Sequence, residues 1–134
     1  MSFALERQLI ETRYQAAMPV NDPIQYGNTP FQPPATGFTR LTVLSGGPAG
    51  LLSITGGSQR RYGGTIDVGI FVPRDAGTAG LRAKADHVEA ALAHQSLTSG
   101  AVRIITFGAE FSEIGPAGDW YQGNITVRFQ RDSA

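Results

Sequence analysis

The sequence predicts an α+β domain: two helices packed on a mostly antiparallel sheet, in the order α-β-β-β-α-β-β-β. Three observations predict it. Residues 3–17 and roughly 78–95 carry apolar residues at helical spacing. Residues 38–45, 65–72 and 120–130 alternate with a period of two. The strands fall in two runs separated by a single helix, and that pattern gives helices on a mostly antiparallel sheet rather than a parallel α/β fold.

The first helix spans a stretch without Gly or Pro, and Ser2 is its candidate N-cap. On a wheel of about 3.6 residues per turn, Phe3, Ile10, Tyr14 and Ala17 share one side and Leu5, Leu9 and Ala16 lie nearly opposite. A helix packed only on its own sheet needs one stripe. Two stripes fit either a second surface, such as a neighbouring subunit, or a short terminal helix that is well buried. Pro19, Pro23, Pro30, Pro33 and Pro34 then forbid regular helix or central strand through residues 18–37. This segment is expected to be an extended arm, with Phe31 placed to dock on this subunit or the next, or else a plain surface linker.

From Phe38 to Ser45 a strand is expected, with Leu41 and Val43 inward, followed by a turn at Gly46-Gly47-Pro48 and a returning strand at Leu51–Thr55. A Gly-flanked basic loop, Gly56 to Gly64, carries Arg60, Arg61 and Tyr62. In the strand from Thr65 to Val72, the residues Ile66, Val68, Ile70 and Val72 form one face, and Pro73 ends it. The second helix presents Leu81, Ala85, Val88 and Leu92 as one stripe that should cover the sheet. Strands are then expected at Val102–Phe107 and Phe111–Ile114, and, after a turn at Gly115–Gly118, at Trp120–Gln130. The last has Tyr121, Ile125, Val127 and Phe129 on one face and Gln122, Asn124, Thr126, Arg128 and Gln130 on the other. Its polar face implies a solvated or subunit-facing side.

A chain of 134 residues makes one domain with a real core, here residues 1–134 with the arm at 18–37. Only 16% of residues are charged, so little charge would need desolvation on burial in an assembly. Eleven basic residues balance eleven acidic ones, without the basic excess of a typical nucleic-acid binder. The absence of cysteine removes thiolate nucleophiles, thiolate metal sites and disulfides, and fits a reducing cytoplasm. Glu6 and Arg7 enter before any apolar run, so no signal peptide is expected, and no apolar stretch reaches the roughly eighteen residues of a membrane span.

Little points to catalysis or cofactor binding. His87 and His94 lie seven apart on a helix, about 10 Å of rise, too far to share one metal ion. Gly77-Thr78-Ala79-Gly80 precedes a helix but matches no phosphate-binding signature, and reads as a corner needing unusual backbone angles. No Ser sits in a G-x-S-x-G elbow. Glu110 and Glu113 lie near a turn and read as solubilising. The arginines of the basic loop suit carboxylates of a partner or DNA phosphates, or simply keep a hairpin soluble. Trp120 and Tyr121, at a strand start, are ordinarily packing residues.

Assembled in order, these pieces resemble the phage tail terminator-like family. The run Asn28-Thr-Pro-Phe-Gln-Pro-Pro-Ala-Thr-Gly-Phe-Thr-Arg-Leu-Thr-Val-Leu44 is similar to that family's opening element, in which a PF-x-PP motif leads into a strand carrying an arginine, here Arg40. Arg61-Tyr-Gly-Gly64, the strand ending in Ile70-Phe-Val-Pro73, Gly77 and Gly80 before the Ala-rich helix, and Gly118-Asp-Trp-Tyr121 follow in register. The resemblance covers residues 3–130, with Pro30, Phe31, Pro33, Arg40, Arg61, Gly64, Pro73, Gly77, Trp120 and Tyr121 as the matching positions.

The resemblance implies a non-enzymatic structural protein of the virion tail. No catalytic residue, metal or cofactor is carried over. Related terminators form rings, hexameric in known relatives, that cap the tail tube, end its polymerisation and offer a surface to head-completion proteins. The implied partners are therefore further copies of the chain, the tail tube protein and a head-completion or connector protein, with DNA passing through the channel and no membrane. The implied location is the head-proximal end of the tail, after assembly in the bacterial host cytoplasm. Phe31, Arg40, Arg60, Arg61, Tyr62, Trp120 and Tyr121 are the candidate interface residues. The alternatives are a head–tail connector or other minor tail protein with the same core, and a small ligand-binding domain.

Overall fold

The computed structural model describes residues 3–19, 22–27, 30–51, 60–75 and 77–133. The elements run α1 (Phe3–Ala17), β1 (Ile24–Tyr26), β2 (Phe38–Leu51), β3 (Arg60–Pro73), α2 (Ala79–Leu92), β4 (Ser96–Ser99), β5 (Val102–Ala117) and β6 (Trp120–Ser133). The order is the expected one. Among the described residues, one added edge strand on each side of α2 keeps the count. Short β1 lies inside the proline arm and short β4 follows α2, while the two strands expected at 102–107 and 111–114 are a single β5. Likewise, Gly46-Gly47-Pro48 is no turn: β2 runs through it, with register shifts between Ser45 and Pro48 and between Pro48 and Gly50. The rest of the expected returning strand, 52–55, lies outside the described residues, as do Ser2 and loop residues 56–59. Residues Arg60 to Gly64 belong to β3.

The six strands form one mixed sheet in the order β1-β2-β3-β6-β5-β4. Only β1 pairs in parallel, Ile24 opposite Thr39; all other neighbours are antiparallel. A parallel edge strand suits the arm, because its prolines bar it from a central position. Alternation sorts the side chains. Leu41, Ile66, Val68, Ile70, Ile104, Ile125, Val127 and Phe129 point to the helical layer and are buried. Leu81, Ala85, Val88 and Leu92 of α2 close over them as expected. In α1 a single line is fully buried, Glu6, Ile10 and Tyr14 at four-residue spacing, while Leu9 is half-buried against the same core.

Polar links close the two layers. Arg13 Nε of α1 donates to the Ala91 carbonyl at 2.9 Å, joining the helices. The end of α2 is tied to β5 by buried Thr106, whose hydroxyl donates to the Leu92 carbonyl and accepts from Gln95 N–H. A helix C-terminus leaves carbonyls without partners, and this hydroxyl satisfies one. Gly77, at φ 82°, makes the strand-to-helix corner expected of it. No described helix is long and apolar enough to cross a membrane.

Candidate functional site

The face of the sheet away from the helices is only partly covered, and the arm covers it. Phe38, Phe71 and Trp120 come from three different strands. Phe38 stacks on Phe71 with ring centres 4.6 Å apart and meets Trp120 edge-on at 5.4 Å. The arm lays Phe31 over Phe38 at 5.1 Å, leaving Phe38 only 2% exposed. Arm and sheet approach closely at Gly37, where a β-carbon would fall 2.6 Å from the Phe71 carbonyl oxygen. Phe31 thus docks on its own subunit. Arg40 stands beside this cluster, its guanidinium 5.0 Å from the Phe71 ring centre and its Nε donating to Gln25 Oε1 at 3.1 Å. Three of the candidate residues, Phe31, Arg40 and Trp120, therefore form one aromatic and cationic patch at one end of the strands.

The other candidates lie elsewhere. Tyr121 points to the helical side, where its hydroxyl donates to Glu113 Oε2 at 2.8 Å. That bond raises the pKa of the Tyr121 hydroxyl. Arg82 reaches the other Glu113 oxygen at 3.0 Å and lies over Phe111. Glu113 is thus bound to two partners and is not simply a solubilising charge. Arg61 stands at the opposite end of β3, held to Asp132 of β6 by two hydrogen bonds of 2.8 and 3.1 Å, which raise its pKa. Arg60 pairs through its backbone with Leu51 and Ser133.

Tyr62 leads to the centre that the sequence reading passed over. Glu6 and Arg131 form an ion pair inside the protein, Arg131 Nε donating to Glu6 Oε2 at 2.7 Å with side chains 1% and 2% exposed. Ser45 donates to the second Glu6 oxygen. The Tyr62 ring centre lies 4.1 Å from the Arg131 guanidinium carbon and that of Phe3 4.9 Å, so two π-faces cover the cation. A signal for this pair is present in the sequence. Arg131 continues the odd-numbered apolar face of Ile125, Val127 and Phe129, and Glu6 lies one helical turn before Ile10. Charges at core positions require partners.

What this arrangement can do chemically is hold elements in place. The Glu6–Arg131 pair pins the N-terminal helix to the last strand, and the aromatic patch pins the arm. A hydrogen-bonded group on the open face, Asp67 with Asn124 at 2.7 Å and Thr126 at 3.3 Å, links β3 to β6. Among the described residues no three His, Asp or Glu side chains gather as a metal site. His87 and His94 are both exposed.

A solved structure superposes on this chain with a TM-score of 0.72 and 22% identity. The match covers 100% of this chain and 96% of that one, and it establishes the fold. A search of curated proteins finds no match. A family model described as phage tail terminator protein matches residues 1–129. The pinned arm, the pinned helix and nearly the whole sheet lie within that span, and the chain belongs to the phage tail terminator family, whose members are structural, non-enzymatic components of the phage tail.

Proposed function

We propose that copies of this chain close into a ring, six by resemblance to known terminators, on the head-proximal end of the tail tube. There the ring ends tube polymerisation and offers its far side to a head-completion or connector protein, with DNA passing through the channel. The match of residues 1–129 to the family carries this reading. The layout of the sheet supports it. The patch of Phe31, Arg40 and Trp120 and the pair Arg61 and Tyr62 lie at opposite ends of the same strands, since Pro73 pairs with Trp120 and Arg61 with Asp132. A cap needs two unlike ends, one for the tube and one for the head, and the strands supply them.

The test is tail length. Phage lacking the gene should make headless tails longer than normal when viewed by electron microscopy, and the gene supplied in trans should restore length and head joining. Tails of normal length carrying heads without the protein would overturn the proposal.

A further inference from the structure

We propose that neighbouring copies in the ring meet in a stepped joint. β1 of one copy pairs antiparallel with the bare part of β5 in the next, while β4 of that next copy lies along the bare part of β2 in the first. This rests on the ring reading above and specifies its subunit contact.

Each side of the sheet is a step one strand wide. On one side the three residues of β1 cover β2 from Thr39 to Leu41. Among the described residues nothing pairs with the outer side of β2 from Thr42 onward. On the other side the four residues of β4 cover β5 from Val102 to Ile105, and backbone bonds to Gln95 and His94 extend that cover to Phe107. Among the described residues nothing pairs with the outer side of β5 from Gly108 to Ala117. A bare strand edge presents a row of N–H and C=O groups and is a template for another strand.

The pairing registers put each projecting strand level with the recess on the other side. Gln25 of β1 lies opposite Arg40, which leads across the sheet through Gly69 and Asn124 to Ser112 of β5. Thr98 of β4 lies opposite Arg103, which leads through Asp132 and Arg61 to Gly50 of β2. Rotation about an axis along the strands keeps every level. β1 therefore enters the recess beside β5 of the next copy, and β4 of that copy enters the recess beside β2. Both levels then hold five strands per copy. Strand direction agrees. β2 is antiparallel to β3, β3 to β6 and β6 to β5, so β2 and β5 point in opposite directions. β1 is parallel to β2 and meets β5 as an antiparallel pair, the more stable kind, while β4 meets β2 in parallel. The two sides differ, so the contact is of the head-to-tail kind that closes rings. The same axis places the two strand ends, with their unlike patches, at the top and bottom of the ring.

Strand length and side chains fit the joint. β5 pairs without a register shift from Ala109 to Glu113, and Phe111 to Glu113 are the residues level with β1. Between the end of β1 and the start of β4 the joint leaves a notch two strand spacings wide, about 9.5 Å. Leu44 and Phe107 stand level at that notch, one on each side of the sheet. Leu44 lies opposite Thr65 and so in line with Arg128, and the bulge of Phe107 and Gly108 faces Arg128. By alternation with core-side Val43 and Thr106, both side chains point to the face away from the helices, where they are 51% and 44% exposed. In the ring they meet across the notch and take each other's apolar surface out of water.

The absence of cysteine makes the joint directly testable. Gln25 and Ser112 share the face away from the helices, Gln25 because it accepts from Arg40 and Ser112 because it alternates with core-packed Phe111. Facing β-carbons in an antiparallel pair lie about 4.5–5.5 Å apart, close enough for a disulfide after small adjustment. Gln25→Cys is combined in the full chain with Ser112→Cys, and with Glu110→Cys or Ile114→Cys to cover a slip of two residues either way. Rings are assembled, confirmed by native mass, oxidised and run without reductant. At least one double variant should give a ladder of bands ending at the complete ring, while each single variant stays monomeric on the gel. Leu44→Glu and Phe107→Glu should each lower the ring fraction several-fold and leave the far-UV circular dichroism of the monomer unchanged. Rings that form but give no ladder from any pair, or that both glutamate variants leave intact, would overturn the joint and leave the ring standing. Dimers from a single cysteine variant would overturn it too, since they report an isologous contact. Failure of the native chain to form rings, on tail tubes included, would overturn the ring reading itself.

Discussion

Removing one member of the Glu6–Arg131 pair should destabilise the fold by several kcal/mol, whereas removing both should not. Glu6→Gln leaves a guanidinium buried at 2% exposure with its 2.7 Å partner neutralised. Breaking a buried ion pair from one side typically costs about 3–5 kcal/mol. The rings of Tyr62 and Phe3, at 4.1 and 4.9 Å, still favour the cation and return about 1 kcal/mol of that. The net loss is therefore roughly 2–4 kcal/mol. A domain of this length has a total stability of roughly 7–20 kcal/mol, so the variant folds but melts well below the native chain. In the double variant Glu6→Leu with Arg131→Met, no charge is left in the site, and such replacements are often neutral. Urea unfolding at low protein concentration, followed by far-UV circular dichroism, measures Glu6→Gln and the four corners of the cycle, which are the native chain, Glu6→Leu, Arg131→Met and the double variant. A coupling of at least about 2 kcal/mol is expected. A Glu6→Gln loss below about 1 kcal/mol, or additive single effects, would refute the claim that the pair anchors α1.

Three further outcomes follow from named contacts. Burial holds the Tyr14 hydroxyl well above its usual pKa of 10.0, with the 2.8 Å bond to Thr39 partly opposing it. A raised pKa means stability that is complete below pH 10 and lost as the pH climbs past it, by up to about 1.4 kcal/mol per unit. Tyr14→Phe should flatten that alkaline decline while costing about 1 kcal/mol at pH 7; an unchanged slope in urea melts between pH 9 and 11.5 would contradict this. In Gly64→Ala the new methyl would lie 2.5 Å from Phe129 Cζ and 2.7 Å from the Leu44 carbonyl oxygen. A loss of about 1–3 kcal/mol is expected, and a thermal midpoint equal to the native one would show that the approach is not tight. Phe31→Ala should uncover Phe38 and cost about 1–2 kcal/mol. Limited proteolysis within residues 18–37 should speed up several-fold, and unchanged cleavage would mean that Phe31 does not hold the arm.

The element order, the stripe of α2 and the core faces of β3 and β6 were legible because their apolar residues repeat at the period of the element. The misjudged parts lack that repeat. Ile24–Tyr26 is three residues among prolines, and Ser96–Ser99 is polar; each becomes a strand only because a longer neighbour offers it an edge. Gly46-Gly47-Pro48 read as a turn and residues 108–110 fell between two expected strands, yet long pairing partners carry β2 and β5 through both places with local register shifts. Of the candidate site, Phe31, Arg40 and Trp120 proved to be neighbours, although 80 residues separate Arg40 from Trp120. Glu6 and Arg131 lie 125 residues apart, and no local pattern pairs them. The clue was a charge standing where the core face required an apolar residue.

The proposed role depends on a ring of copies seated at one defined end of the tail. Cryo-electron microscopy of headless tails tests it directly. It should show a closed ring of this protein at the head-proximal end, about six subunits around, with the strands running along the tail axis. A single copy there, or density for the chain only at the distal tip, would contradict it.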